Sequence, residues 1–415
     1  MEWVDSISPD ILGPRARGII VGTQARVRKV MNDVMKWSTI AAVAGLGSVF
    51  AAQAHADYPS FEPRGRMHVD AAFHDKDDVD ISDRFLNRRA RIGVSGSLDP
   101  RWSFIIEYDF AENGTSASDV YIRRALPLGA VTVGQFKVPM GLNELTSSNN
   151  ITFIERAANS NAIVDARRLG IGYHIDEGDI HFRTMAYGRA IGDDDDTSDG
   201  DDMNLGLAGR LVFAPRINGQ LFHIGGSIAY EDRRDQNTVR YRERPESRPG
   251  NVRLIDTGNI TDADSTLKYG LELAYQFGPF SAEAEYLSVK VDRDENRNPT
   301  LDGYHVQASY VLTGESRGYR GGNFRGITPA RAGGAWEVAA RYSNIDLNDA
   351  GLEGGEQRNI TLGVNYYATA NIRFMFNYIF VDVKDSGVML TQDDEQIVVG
   401  DEKPRIALMR AQYSF

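Results

Sequence analysis

The chain has 415 residues, a formal net charge of −12, 41 glycines, 18 tyrosines, 18 phenylalanines and no cysteine. Lack of cysteine excludes a disulfide-stapled scaffold, and the acidic balance argues against a surface built to grip nucleic-acid phosphates. After residue 56 no apolar run reaches the roughly 20 residues that a transmembrane helix needs.

At the start of the chain, Lys36 precedes an apolar stretch from about Ile40 to Phe50, and Ala54 and Ala56 then flank His55. That order predicts a secretory signal cut after Ala56. Residues 1–34 follow no export pattern and read as an over-extended N-terminus, with Met31 or Met35 as natural starts. The expected organisation is therefore 1–34 as surplus, 35–56 as signal peptide and 57–415 as the exported domain. Removing residues 1–56 takes away six basic and four acidic groups, leaving a mature charge of about −14. A cysteine-free chain suits passage through an oxidising periplasm.

From Gly65 onward the chain alternates in segments of about ten residues cut by Gly, Asn and Asp. In "WSFIIEYDF", Trp102, Phe104, Ile106, Tyr108 and Phe110 share one face, opposite Ser103, Ile105, Glu107 and Asp109. "STLKYGLELAYQF" sets Leu267, Tyr269, Leu271, Leu273, Tyr275 and Phe277 against Lys268, Gly270, Glu272 and Gln276. "NIRFMFNYIFVDV" sets Ile372, Phe374, Phe376, Tyr378 and Phe380 against Arg373 and Asn377. Such period-two runs predict strands with one apolar and one polar face.

Segmentation gives about sixteen strands, starting near residues 66, 85, 102, 118, 130, 168, 180, 203, 220, 265, 280, 301, 334, 357, 371 and 403. Short turns such as 277–280 and 368–371 alternate with long polar stretches such as 191–202 and 385–400. Tight periplasmic turns and larger outer loops are the pattern of a transmembrane antiparallel β-barrel. A soluble sandwich also has alternating strands, but aromatic rings recur here near strand ends: Trp102 and Phe110, Trp336 and Tyr342, Tyr366 and Tyr367, Tyr413 and Phe415. Membrane interfaces favour those rings. The expectation is an all-β outer-membrane barrel whose last strand, "RIALMRAQYSF", zips to the first and leaves no free edge.

With aliphatic and aromatic positions facing lipid, parity sends Arg89, Arg91, Arg123, Arg168, Arg183, Arg210, Arg341 and Arg410 into the lumen. Two readings stay open for them: an anion path, or wall charges paired with Glu107, Asp109, Glu272, Glu283 and Glu337. In "TVRYRERPESRPG", Arg240, Arg242 and Arg244 recur every second residue, and in extended chain they would form one column able to gather anions at a pore mouth. Glu243 and Glu246 offer the alternative of a neutralised, solvated loop. The stretch from Gly134 to Arg168 is too long for a turn and carries Val138, Met140, Leu142 and Leu145, so it is expected to fold inward against the wall. Lys137, Glu144, Asn149, Asn150, Glu155 and Arg156 are then constriction candidates. The acidic run 192–202 reads as a solvated outer loop, with calcium binding the less favoured alternative.

The segments "RRARIGVSG" (88–96), "EYDF" (107–110), "VGQFKVPMGLNELTSSNNITFIER" (133–156), "GAWEVAARYSNIDLND" (334–349) and "NIRFMFNYIFVDV" (371–383) are similar to the phosphate-selective porin O and P family. The resemblance covers most of the mature chain. It implies a sixteen-stranded barrel, a homotrimer in the bacterial outer membrane among lipid and lipopolysaccharide, an inward third loop and an arginine-lined path for phosphate-like or other small anions. Family members hold anions at a lysine just after a Thr-Ser-Ser triplet, whereas here Thr146, Ser147 and Ser148 are followed by Asn149 and Asn150. Lys137 matches a common family position. The expectation is an anion preference with looser holding, and the runner-up is a general or sugar-type porin. An outer-membrane phospholipase would need a Ser and a His two apart, and none of the seven histidines has such a serine. The reading is a channel rather than an enzyme, with neither cofactor nor metal.

Overall fold

A computed structural model describes residues 58–75, 79–111, 114–192, 204–234, 236–392 and 395–415. The signal segment, the residues ahead of it and most of the acidic run 192–202 lie outside the described residues.

Sixteen antiparallel strands form the barrel. The first eight are β1 (Ser60–Asp75), β2 (Arg84–Ser97), β3 (Trp102–Asp109), β4 (Ser116–Ala125), β5 (Ala130–Lys137), β6 (Arg167–Glu177), β7 (Ile180–Tyr187) and β8 (Gly206–Phe213). The second eight are β9 (Gln220–Asp232), β10 (Ala263–Phe277), β11 (Phe280–Arg293), β12 (Thr300–Val311), β13 (Ala335–Asp346), β14 (Gly354–Tyr367), β15 (Ile372–Gln392) and β16 (Arg405–Ser414). The predicted starts fall within a few residues of these, and the largest gap is at β1, which begins at Ser60 rather than near 66. Its opening "SFEPRGR" carries Pro and Gly, which mute the alternation signal.

Closure follows from the pairing of β16 with β1, in register from Arg66 opposite Ser414 to Asp75 opposite Arg405. Gly65 and Phe415 exchange backbone hydrogen bonds of 3.0 and 3.1 Å. A Cβ at Gly65 would lie 2.5 Å from the Phe415 ring, so glycine is what lets the terminal aromatic lie across the seam. Every interior strand is thereby paired and the sheet has no open edge.

The faces sort as the alternation requires. Along β10, Leu271 and Leu273 are 63% and 55% exposed while Lys268, Glu272 and Gln276 are buried in the lumen. Phe222, Tyr275, Phe280, Trp336, Tyr366, Phe374 and Phe415 gather toward the short-turn end, and Trp336 stacks on Tyr366 with centroids 4.6 Å apart. A second group, Tyr269 with Tyr286 and Tyr304 with Tyr342, lies toward the long-loop end. Two aromatic girdles around an apolar band are how a barrel meets the two interfaces of a bilayer.

The connections depart most from the sequence expectation between β12 and β13. Turns at 98–101, 126–129, 178–179, 278–279 and 368–371 are tight, but 312–334 joins β12 to β13 on that same, periplasmic end and is long. It forms a small hairpin, Tyr319–Arg320 against Asn323–Phe324, and runs up inside the barrel. From the opposite end, residues 138–166 also enter the lumen, carrying helices α1 (Leu142–Leu145) and α2 (Ala158–Ile163). The 233–262 loop joins them through two short ribbons, Thr238–Val239 with Ile260–Thr261 and Arg242–Glu243 with Ile255–Asp256.

These loops give the barrel an internal apolar core. Val138, Met140, Ile154 and Ile163 of the third outer loop pack with Val239, Tyr241, Leu254 and Ile255 of the 233–262 loop. The same cluster includes Leu287, Val289, Leu301 and Ile345 on the inner wall. Of the four apolar residues expected to fold inward, Val138, Met140 and Leu142 are about 1% exposed and Leu145 is half-buried. Each fully buried aliphatic side chain contributes about 1.5–3 kcal/mol, enough for the set to hold the loop inside.

Candidate functional site

The third outer loop is gripped by wall side chains along its whole length. Asn143 donates from its backbone to Glu285 (3.2 Å) and from its amide to Glu283 (3.0 Å). Arg373 donates to the carbonyls of Ile151 (2.8 Å) and Thr152 (3.0 Å), Arg341 to that of Glu155 (3.0 Å), and Arg410 to that of Ile154 (2.6 Å). Asn377 accepts from the Ile154 amide at 2.8 Å. Every one of these carbonyls and amides would otherwise be an orphan inside the barrel. Lumenal arginines on β13, β15 and β16 therefore hold backbone, using donors that lysine could not fan out.

At α2 the approach is closer still. A Cβ added at Gly303 would lie 2.5 Å from the Asn344 carbonyl oxygen of β13 and 2.8 Å from Asn159 Cβ, and Asn159 Oδ1 accepts from His305 Nδ1 at 3.1 Å. The Gly303→Val variant is expected to strain the β12–β13 pairing and push α2 off the wall, lowering barrel stability and raising single-channel conductance, measured by urea unfolding in detergent and in planar bilayers against the wild type.

The residues singled out in the sequence now have places. Lys137 donates into the Glu144 and Thr146 carbonyls and lies 3.0 Å from the Glu144 carboxylate, and Arg156 holds Asn143, Glu144 and Thr146 from the other side. These two constriction candidates thus brace α1 rather than present free cations. Asn149 takes His68 (3.1 Å), and the Asn150 carbonyl takes Arg317 from the lower loop (2.8 Å). Burial alone would push the Glu144 carboxyl up, but Arg156 and Lys137 outweigh it and hold it below the usual carboxylate range. The same contest leaves Glu155 well below that range, because Arg88 and Arg410 overcome its burial.

Arg91 is paired with Asp109 (2.8 Å) and Glu107 (3.4 Å), and Arg89 lies 3.9 Å from Asp109. Arg123 donates to Thr132 and lies 5.0 Å over the Tyr121 ring near the periplasmic end, and Arg168 pairs with Asp165 at 2.7 Å. Arg210 is buried, in a two-pronged contact with Glu272 (2.8 and 2.5 Å) and a bond to the Gly322 carbonyl (2.9 Å). It anchors the lower loop.

The expected column of Arg240, Arg242 and Arg244 is split. Arg240 and Arg242 are exposed, but the ribbon ends at Glu243 and the chain bends through Pro245 and Glu246, which has φ of 52°. Arg244 is thereby turned into the interior, where it donates to Asn251 at 2.6 Å. Period-two spacing put the three on one face only for as long as the chain stayed extended.

That bend creates a feature the sequence pattern did not reveal. Between α2 and the 233–262 loop lies a cavity of about 300 Å³ lined by Arg88, Arg240, Arg242, Arg244, Arg248 and Arg253, against Glu155, Glu243 and Glu246. Twice as many cations as carboxylates face it. Arg240 is matched by Asp256 at 2.6 Å, whereas Arg242 reaches that carboxylate only at 4.0 Å. Arg253 has no acid within ion-pair distance among the described residues. Arg248 and Arg253 were legible as basic residues, but their meeting with Arg88 of β2 depends on a loop folding inward. Among the described residues no group of His, Asp and Glu is placed to hold a metal ion.

A closed sixteen-stranded barrel with aromatic girdles and lumenal loops defines an outer-membrane porin. The profile of the family described as phosphate-selective porin O and P matches residues 61–415, and the chain belongs to that family. Porin O of Pseudomonas aeruginosa is 30% identical over 369 residues, covering 77% of this chain and 82% of that protein. Among solved structures, the anion-selective porin from Comamonas acidovorans superposes with a TM-score of 0.55 at 15% identity, covering 86% of this chain and 100% of that one. The trimer form of OmpT from Vibrio cholerae gives 0.54 at 13% identity, with 86% and 100% covered.

Proposed function

We propose that the chain is a passive outer-membrane channel for small anions, phosphate-like or other, which pass an arginine-lined route. The observation that carries this reading is the cavity beside the third loop, where six arginines face three glutamates and two of the arginines lack a close carboxylate. Cations in a low-dielectric wall raise the local anion concentration far more than the same charges in bulk water. Arg240 and Arg242 receive anions at the outer side. Arg89, Arg91 and Arg168 continue the field along the lumen, and Arg123 lies at the periplasmic exit. Arg210 and Arg244 act on that route indirectly, by fixing the loops that shape it. Lys137, Asn149, Asn150 and Arg156 set the form of the constriction in the same way. Since Lys137 and Arg156 are bound to α1, phosphate meets no free lysine in the third loop, and holding is loose.

The membership of the family and the names of its relatives support the anion class, and the OmpT trimer form supports assembly as a homotrimer among outer-membrane lipid and lipopolysaccharide. The protein is a channel and not an enzyme, needs no cofactor, and is exported by the segment 35–56. One observation favours a general or sugar-type porin instead: much of the lumenal charge is internally matched, as in Arg91 with Glu107 and Asp109 and in Arg210 with Glu272. Reversal potentials across a potassium chloride gradient, with and without phosphate, separate the two. A modest chloride preference is expected, while clear cation selectivity would contradict the anion reading.

A further inference from the structure

We propose that the cavity between α2 and the 233–262 loop is a binding station for a compact organic dianion, gripped by Arg242 and Arg253, with Glu243 as the acid that governs its occupancy. This rests on the anion-channel reading and specifies a ligand for it.

Three observations carry the assignment. The first is size: about 300 Å³ stands at the lower end of small-molecule sites, which run roughly 300–1,000 Å³, and is more room than a single halide fills. The second is the incomplete pairing of Arg242 and Arg253 among otherwise matched neighbours. Each guanidinium offers a planar fork to a carboxylate or phosphate, so two of them on one cavity favour a ligand with two acidic groups over one with a single group. The third is a buried carboxylic acid inside the same cavity.

Glu243 sits in the ribbon opposite Ile255 and is 9% exposed. Its own loop brings Arg240, Arg242, Arg244, Glu246, Arg248 and Arg253 to the same cavity. The third loop adds Glu155 and Asn161, whose amide lies 3.4 Å away, and β2 adds Arg88. Burial pushes this carboxyl up to about 7, with Glu155 and Glu246 adding to the shift against the pull of Arg244. Below that pH the acid is neutral and the cavity loses one negative charge. Anion occupancy therefore rises as pH falls, and by linkage a bound dianion favours protonation of Glu243.

The test uses the full channel in planar bilayers, with chloride current as the readout and succinate added on the outer side as the probe. Succinate is expected to block at concentrations where acetate does not. Arg253→Gln and Arg242→Gln each should weaken the block by about tenfold, the loss of one charge-assisted pair. Both positions are at least partly exposed, so both variants should fold. Ethane-1,2-disulfonate, whose charge does not titrate, provides the pH arm: its block should strengthen from about pH 8 to about pH 6 and lose that dependence in Glu243→Gln. Equal block by acetate and succinate, or block unchanged in both arginine variants, would overturn the station. Disulfonate block with the same pH dependence in Glu243→Gln would also overturn it, since Glu243 is part of the claim. Phosphate run in parallel tests the span, because block by phosphate alone also contradicts it. Chloride preference without succinate block removes this proposal only, whereas absence of chloride preference removes the anion reading on which it rests.

Discussion

Arg410→Ala releases the third loop: the expected result is a channel with higher single-channel conductance, weaker ion preference and a less stable barrel. Arg410 bonds both oxygens of Asp70 at 2.7 Å, the Ile154 carbonyl at 2.6 Å and Glu155 at 3.0 Å, all of them buried. Truncation strands the Asp70 carboxylate with no partner of opposite charge, and leaving one member of a buried ion pair costs about 3–5 kcal/mol. Two consequences can be told apart. The stability loss belongs to Asp70 and should be largely repaired in the Asp70→Asn, Arg410→Met double variant, in which both charges are gone. The conductance rise belongs to the lost grip on Ile154 and should persist in that double variant. Urea unfolding in detergent measures the first, and bilayer recording the second. A double variant with wild-type conductance would mean that Arg373 and Arg341 suffice to hold the loop.

This division also explains how far the sequence alone could be read. Strand number, strand starts and outward faces were legible because lipid and water demand opposite side chains at a period of two. The inward course of 138–166 was legible from Val138, Met140 and Leu142, which have no place in water. The inner wall of the outer half was not. Along β11 the lumenal positions change from Glu283 and Glu285 to Leu287, Val289 and Val291 while the alternate positions become Ser288, Lys290 and Asp292, so the polarity of the two faces inverts and parity points the wrong way. Those residues make sense only with the 233–262 loop packed on them. Parity assigns arginine to the lumenal face but gives no sign of its role, since Arg341, Arg373 and Arg410 serve loop carbonyls that only the folded chain brings near. The 312–334 segment, rich in glycine and arginine, looked like any polar connection. Its burial follows from Phe324, Tyr319 and the partners waiting on β7, β8 and β9.

Glu272→Ala is expected to free that lower loop and to act more than additively with release of the upper one. Glu272 neutralises buried Arg210 and accepts from His223 Nε2 at 3.3 Å; Arg210 in turn holds the Gly322 carbonyl, and His223 holds the Tyr319 hydroxyl at 2.6 Å. Without Glu272 the Arg210 charge is stranded, again at a cost of about 3–5 kcal/mol, and the hairpin 319–324 loses two of its fastenings. The lumen then has two obstructions along one path, the third loop from the outer side and the 312–334 loop from the periplasmic side, meeting where Arg317 bonds the Asn150 carbonyl. Obstructions in series add as resistances. Opening either alone leaves the other to limit the current, so Glu272→Ala and Arg410→Ala should each raise conductance modestly, while the double variant raises it by more than the two increments together. Stability should show the opposite sign of coupling. The first release already breaks the Arg317–Asn150 contact, so the two stability losses should sum to more than the double variant shows, by about 0.5–3 kcal/mol. Strictly additive conductance increments would place the two loops in parallel lanes of the lumen rather than one behind the other.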